Sequence, residues 1–199
     1  MIEVHCVVND IFSSNCFIVS SSNAKSILLI DPGSKDCTRL LEAIQNRKID
    51  YVIVTHGHFD HIAGIDFLRA LFDFKIIAER HCSTKLLNPM KNLSLYSEFG
   101  SITAPDADIK VEETLELMWY DHPLNFFSTP GHSICGLSFS IGPSLFTGDT
   151  LLQISSPFAN KHDGDPELLK QSIQFITDNF MGDTRIFPGH GKDFLLQYR

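Results

Sequence analysis

The chain has 199 residues and a formal net charge of −8, from 16 Lys and Arg against 24 Asp and Glu. That length fits one compact domain with a sizeable core, and the sign of the charge excludes a basic nucleic-acid-binding surface. No run of about 18 apolar residues exists to span a membrane, and Met1–Asp10 lacks the basic start of a signal peptide, so a cytoplasmic protein is expected.

In chain order, the pattern predicts strands over Ile2–Val8, Asn15–Val19 and Ser26–Asp31, the last closed by the Pro32-Gly33 turn. Leu40, Leu41 and Ile44 recur at helical spacing and predict an amphipathic helix over Lys35–Arg47. A β-branched strand, Tyr51–His56, runs into a polar loop, and His61–Phe72 is again helical in period. Lys75–Ala78 reads as a strand, and Leu86–Pro105 as helix plus loop. Further strands are predicted over Thr114–Tyr120, Leu124–Ser128, Leu137–Ile141, Ser144–Thr147 and Arg185–Pro188, with a helix over Pro166–Asn179 and a short terminal helix over Lys192–Tyr198. Strands and helices mixed in both halves imply an α/β domain of packed sheets with helices outside. Cys6, Cys16, Cys37, Cys82 and Cys135 contain no C-x-x-C pair, so free thiols are expected, with Cys135 a small buried residue.

The informative segment is Thr55-His56-Gly57-His58-Phe59-Asp60-His61, which places four candidate metal ligands within six residues of an apolar strand end. Burying such a run is costly unless something pairs with it. On an extended chain His56, His58 and Asp60 would spread over about 13 Å, so one ion could not collect them without a curl. Gly57 supplies that freedom, and Asp60 suits the start of the following helix. A curled loop with ligands fanning outward suits two adjacent ions better than one. Three more candidates sit after predicted strands, each preceded by glycine: His132 in Thr129-Pro130-Gly131-His132, Asp149 in Thr147-Gly148-Asp149-Thr150, and His190 in Phe187-Pro188-Gly189-His190. His5, His81, His122 and His162 fall outside these motifs.

This H-x-H-x-D-H segment, followed in order by Gly-His, Gly-Asp-Thr and Pro-Gly-His, resembles the metallo-β-lactamase superfamily, in particular its hydroxyacylglutathione hydrolase (glyoxalase II) branch. The resemblance runs from Asn15-Cys16-Phe17 and Asp31-Pro32-Gly33 to His190. It implies a four-layer αββα sandwich over residues 1–199 as a single domain. It also implies a dinuclear centre in which His56, His58 and His132 hold one ion, Asp60, His61 and His190 hold the other, and Asp149 bridges. Two zinc ions suit such nitrogen and oxygen donors, with iron or manganese as substitutes. The implied chemistry is cleavage of a thioester or related ester of a small molecule by a hydroxide shared between ions about 3.5–4 Å apart, with Asp60 orienting the nucleophile or receiving its proton.

Two departures from the branch bear on substrate. Its Gly-Arg loop is replaced by Pro157-Phe158, which removes an anchor for a carboxylate; Lys161, His162, Tyr96 and Lys192 are the candidate substrate contacts. The C-terminal helical domain of the longer glyoxalase II enzymes is expected to be absent, because nine residues follow His190. The alternatives are a mononuclear iron persulfide dioxygenase of the same superfamily, with iron on His56, His132 and Asp149, and a degenerate metal-binding scaffold.

Overall fold

The computed structural model describes residues 1–153, 159 and 163–197. One six-stranded sheet runs in sequence order: β1 (Ile2–Val8), β2 (Asn15–Ser21), β3 (Ser26–Ile30), β4 (Lys48–Val54), β5 (Lys75–Glu79) and β6 (Ile109–Val111). The first three strands are antiparallel, whereas β3 through β6 are parallel. A parallel pair needs a crossover. Helix α1 (Thr38–Ile44) supplies it between β3 and β4, and α2 (Phe59–Ile62) with α3 (Ile65–Arg69) between β4 and β5. Helix α4 (Ser83–Leu86) lies on the way to β6.

The second sheet has the order β12-β11-β10-β9-β8-β7, from β7 (Thr114–Trp119), β8 (His122–Ser128), β9 (Leu137–Ile141), β10 (Ser144–Gly148), β11 (Arg185–Pro188) and β12 (Phe194–Leu195). Its single parallel pair, β10–β11, is joined through α5 (Pro166–Asn179). Asp165 caps α5 by accepting from the Glu167 and Leu168 N–H groups (2.8 and 3.1 Å), and Pro166 occupies the first turn, where its missing N–H costs nothing.

Side-chain alternation sorts the apolar residues into layers. Phe17, Leu28, Ile30 and Ile53 of the first sheet meet Phe126, Phe139, Phe146 and Phe187 of the second. Ile27, Leu29, Val52 and Val54 point the other way, onto Leu40, Ile44, Ile62, Ile65 and Leu68 of the helices. Ile176 of α5 packs on Leu145 and Ile186. The result is the αββα sandwich. Four of the 16 Phe residues form one stack across β8–β11, with ring centroids 5.3 Å apart for Phe126–Phe139, 4.6 Å for Phe139–Phe146 and 4.9 Å for Phe146–Phe187. Large side chains stacked this way add specific aromatic contacts to their burial.

Three expected helices differ from the sequence reading. The helix expected over Lys35–Arg47 shortens to α1, because Asp36 takes the Thr38 N–H and hydroxyl into a local turn, and Gln45 and Asn46 adopt positive φ. The helix expected over His61–Phe72 breaks at Gly64, whose N–H donates to Pro32 O (2.8 Å). The terminal helix is corrected to β12: Phe194 and Leu195 pair with Ile186 and Arg185 of β11. A short segment cannot meet the cost of helix nucleation, whereas a strand edge offers ready partners. Among the described residues, no helix is long and apolar enough to cross a membrane, and all five cysteines are free thiols, Cys135 buried among them.

Candidate metal centre

Each member of the candidate set is delivered by a strand end. The chain leaves β4 at Thr55, whose N–H and hydroxyl both donate to Asp31 at the end of β3 (2.8 and 2.5 Å). His56 follows at once, and the curl through Gly57 and His58 leads into α2, whose first turn carries Asp60 and His61. His132 follows β8, Asp149 follows β10 and His190 follows β11. The sheets are stitched beneath them: the Asn15 amide donates to Pro188 O and Gly191 O (2.9 and 2.8 Å), Ser14 pairs with His190 in a β-bridge, and the Ser14 hydroxyl donates to Asp60 O.

The side chains converge as two groups. In one, His58 Nδ1 lies 3.1 Å from His56 Nε2 and 3.1 Å from His132 Nε2. In the other, Asp60 Oδ2 lies 3.5 Å from His61 Nε2 and 3.3 Å from His190 Nε2. Each trio has its donor atoms within 4.8 Å of one another. Asp149 stands between them: its Oδ2 is 3.4 Å from His132 Nε2 and 3.6 Å from His190 Nε2, and its Oδ1 is 3.9 Å from His61 Nε2. All seven side chains that the sequence offers as candidate ligands are therefore gathered in one place, as two trios with Asp149 between them.

Asp31, His56 and His61 form a third close trio. Asp31 has a different task, since one oxygen accepts from Thr55 N–H and the other from the Thr55 hydroxyl and His61 Nδ1 (2.9 Å). By accepting from Nδ1–H it aims Nε2 of His61 toward Asp60 and Asp149, the usual way a carboxylate orients a ligand imidazole.

Burial alone would depress the His61 imidazolium, but the Asp60, Asp31 and Asp149 carboxylates outweigh it and raise the pKa to about 10. Burial would raise that of Asp60; the positive ring of His61 and the contact with His190 bring it down to about 2. His56 is pushed well below the ordinary imidazole value, first by burial and then by His61, His58 and His132. His56 is thus left in the neutral form that a divalent cation takes, and a cation bound here would release the proton of His61.

The atoms left over support that fit. Among the described residues, His61 Nε2 and Asp149 Oδ1 are buried without any hydrogen-bond partner, and orphaned buried polar atoms are rare. In the first trio three imidazole nitrogens face one another, and one proton can satisfy only one pair of them. A cation would satisfy every group at once.

Two residues escaped the sequence reading. His58 directs Nε2 away from the trio to Asp163 Oδ2 (2.9 Å), and Asp163 is also bridged by the buried Lys85 ammonium of α4. Burial works against the Asp163 carboxylate, yet the bonds from His58 and Lys85 hold it far below the usual range. Their sequence surroundings, Ser83-Thr84-Lys85 and Asp163-Gly164-Asp165, carry no motif that would have flagged them.

Beside this bridge opens a cleft of about 840 Å³ lined by Thr84, Lys85, Met90, Lys91, Leu93, Tyr96, Ile134 and Asp163. Of the four candidate substrate contacts, Tyr96 is on its wall, and Lys192 is exposed and not among its lining residues. Lys161, His162 and the Pro157-Phe158 pair lie outside the described residues.

A family model of the metallo-β-lactamase superfamily matches residues 9–190. The chain is 29% identical over 187 residues to the "Probable metallo-hydrolase" of Methanocaldococcus jannaschii, covering 91% of this chain and 89% of that one. It is 26% identical over 186 residues to the hydroxyacylglutathione hydrolase of Brucella anthropi, covering 87% of this chain and 63% of that one. Its fold is similar to that of the B3 metallo-β-lactamase BLEG-1, with a TM-score of 0.89, 25% identity, and 98% and 94% of the two chains covered. With the family model spanning all seven candidate ligands, the chain belongs to the metallo-β-lactamase superfamily.

Proposed function

We propose that the protein is a dinuclear metal-dependent hydrolase that cleaves a thioester, hydroxyacylglutathione-like in its reacting group, or a related ester. The observation that carries the reading is Asp149, a buried carboxylate between two ligand trios with one oxygen unpartnered. His56, His58 and His132 would hold one ion, Asp60, His61 and His190 the other, and Asp149 both. Zinc is the ion these nitrogen and oxygen donors suit, with iron or manganese as substitutes. Two such ions would supply an activated water and Lewis-acid polarisation of the acyl oxygen.

The chain's own residues supply the rest. Asp31 and Asp163 fix the rings of His61 and His58 by accepting their outer N–H protons. Asp60, held ionised by its histidine neighbours, is the carboxylate to orient the attacking water or take its proton. The preference for a thioester rests on the similarity to hydroxyacylglutathione hydrolase, of which this chain covers 63%. The test is turnover of a panel of acyl-thiol and ester substrates by metal-loaded protein, before and after chelation. Hydrolysis lost on chelation and restored by zinc is expected. An intact panel would overturn this reading, and iron content with persulfide-dependent oxygen uptake would replace it with the dioxygenase one.

A further inference from the structure

The cleft beside the metal centre has a composition of its own. Asp163 lines the cleft and bonds His58 directly, and Ile134 comes two residues after His132, so the cleft lies one residue away from the ligand cluster. Its other wall exposes large apolar surfaces: Met90 is 55% exposed, Tyr96 71% and Ile134 52%, with Leu93 between them. Apolar groups gathered in a concavity, with a few polar groups among them, are the usual make-up of a small-molecule site, and about 840 Å³ lies within the range such sites occupy. An acetyl or lactoyl group alone would leave most of that volume and apolar wall in contact with water.

The charges in the cleft are unequal. Lys85 is buried and neutralised by Asp163, which also holds His58. Lys91 is exposed, lines the cleft and has no carboxylate partner among the described residues. The acidic residue lining the cleft is thus already paired, and one ammonium is left to meet a ligand. A polar tripeptide carrier with several charged groups would find few partners here.

We infer that this cleft binds the non-reacting arm of the substrate, and that the arm is apolar in its body, an aromatic ring or an extended alkyl chain, and carries a single anionic group that pairs with Lys91. The apolar body lies on Met90, Tyr96 and Ile134 while the reacting carbonyl points to the ligand cluster. This assignment rests on the hydrolase reading for its catalytic meaning, and on the cleft alone for binding.

Two measurements on the metal-loaded protein separate these. The first is binding of naphthalenesulfonate and its uncharged sulfonamide, followed by calorimetry. The sulfonate is expected to bind several-fold more tightly than the sulfonamide. Lys91→Glu should abolish that difference, and Ile134→Asp should weaken both ligands about ten-fold. The second is the ratio of kcat/KM for S-octanoyl over S-acetyl thioesters of one thiol, expected to be about ten or more and to fall toward unity in Ile134→Asp and Tyr96→Ala. All three side chains are exposed, so folding is not at stake. If ligand binding ignores these substitutions and the thioester ratio stays near unity, the inference is overturned. Binding that responds to them with no thioester turned over would uphold the cleft assignment and remove the thioesterase reading.

Discussion

Asp163 Oδ2 stands 2.9 Å from His58 Nε2, so that His58 presents Nδ1, and not its outer nitrogen, to His56 and His132. The ring is clamped between a carboxylate and the ligand cluster, and the carboxylate is in turn pinned by Lys85. Loss of such an outer partner typically costs 10–100-fold in metal affinity. Asp163→Ala is therefore expected to weaken one of the two proposed metal equivalents by about that factor, read by competition with a chromophoric chelator. Equal affinity in the variant and the parent would show that His58 needs no support.

Lys85 offers a separate measurement. Its side chain is 4% exposed against 10% for Asp163, and removing one partner of a buried pair leaves the other charge uncompensated. Lys85→Ala should lower unfolding free energy by about 3 kcal/mol in urea titration. The double variant Lys85→Ala with Asp163→Ala should lose less than the sum of the singles.

Gly189 marks where backbone must pass close to the cluster. A Cβ at this position would overlap Asp149 Oδ1 and come within 2.9 Å of His61 Cε1. Gly189→Ala should thus displace the bridging carboxylate, with reduced metal content in a protein that keeps its far-ultraviolet circular dichroism. An alanine variant that retains full metal content would contradict the position given to Asp149.

Much of this arrangement was legible in the sequence, for physical reasons that can be named. Each of the seven candidate ligands sits in a short strand-end motif, and four of them share one segment too polar to bury without a partner. The apolar runs in Ser26–Ile30 and Tyr51–Val54 were likewise legible as strands. What could not be read depended on contacts remote along the chain. Asp163 is 105 residues from His58 and 78 from Lys85, and no local pattern links them. The end of the chain was misread because Lys192–Tyr198 has no strong period, and its conformation is decided by the free edge of β11. Strand β6, three residues long, was too short to show alternation.

Far from the cluster, Asp50 gives a pH prediction. Burial would raise its pKa, but bonds from Ser26, Lys48 and Trp119 Nε1 (3.0 Å) outweigh it and hold the carboxyl below its ordinary value. A group whose pKa is lower folded than unfolded stabilises the fold fully above its unfolded pKa, near 3.9, and loses that contribution as pH falls through the folded one. Asp50→Asn should be less stable than the parent at neutral pH, with the difference shrinking on acidification below about pH 4. A difference that stays constant across that window would mean the carboxylate charge contributes nothing.

The central claim is that two metal ions are held by two trios and a shared Asp149. Its most direct test is the metal content of natively purified protein by elemental analysis, beside that of His190→Ala. The account predicts two equivalents of divalent metal per chain in the parent and about one in the variant, because His190 serves only the second trio. One equivalent in both proteins, or none in the parent, would contradict it.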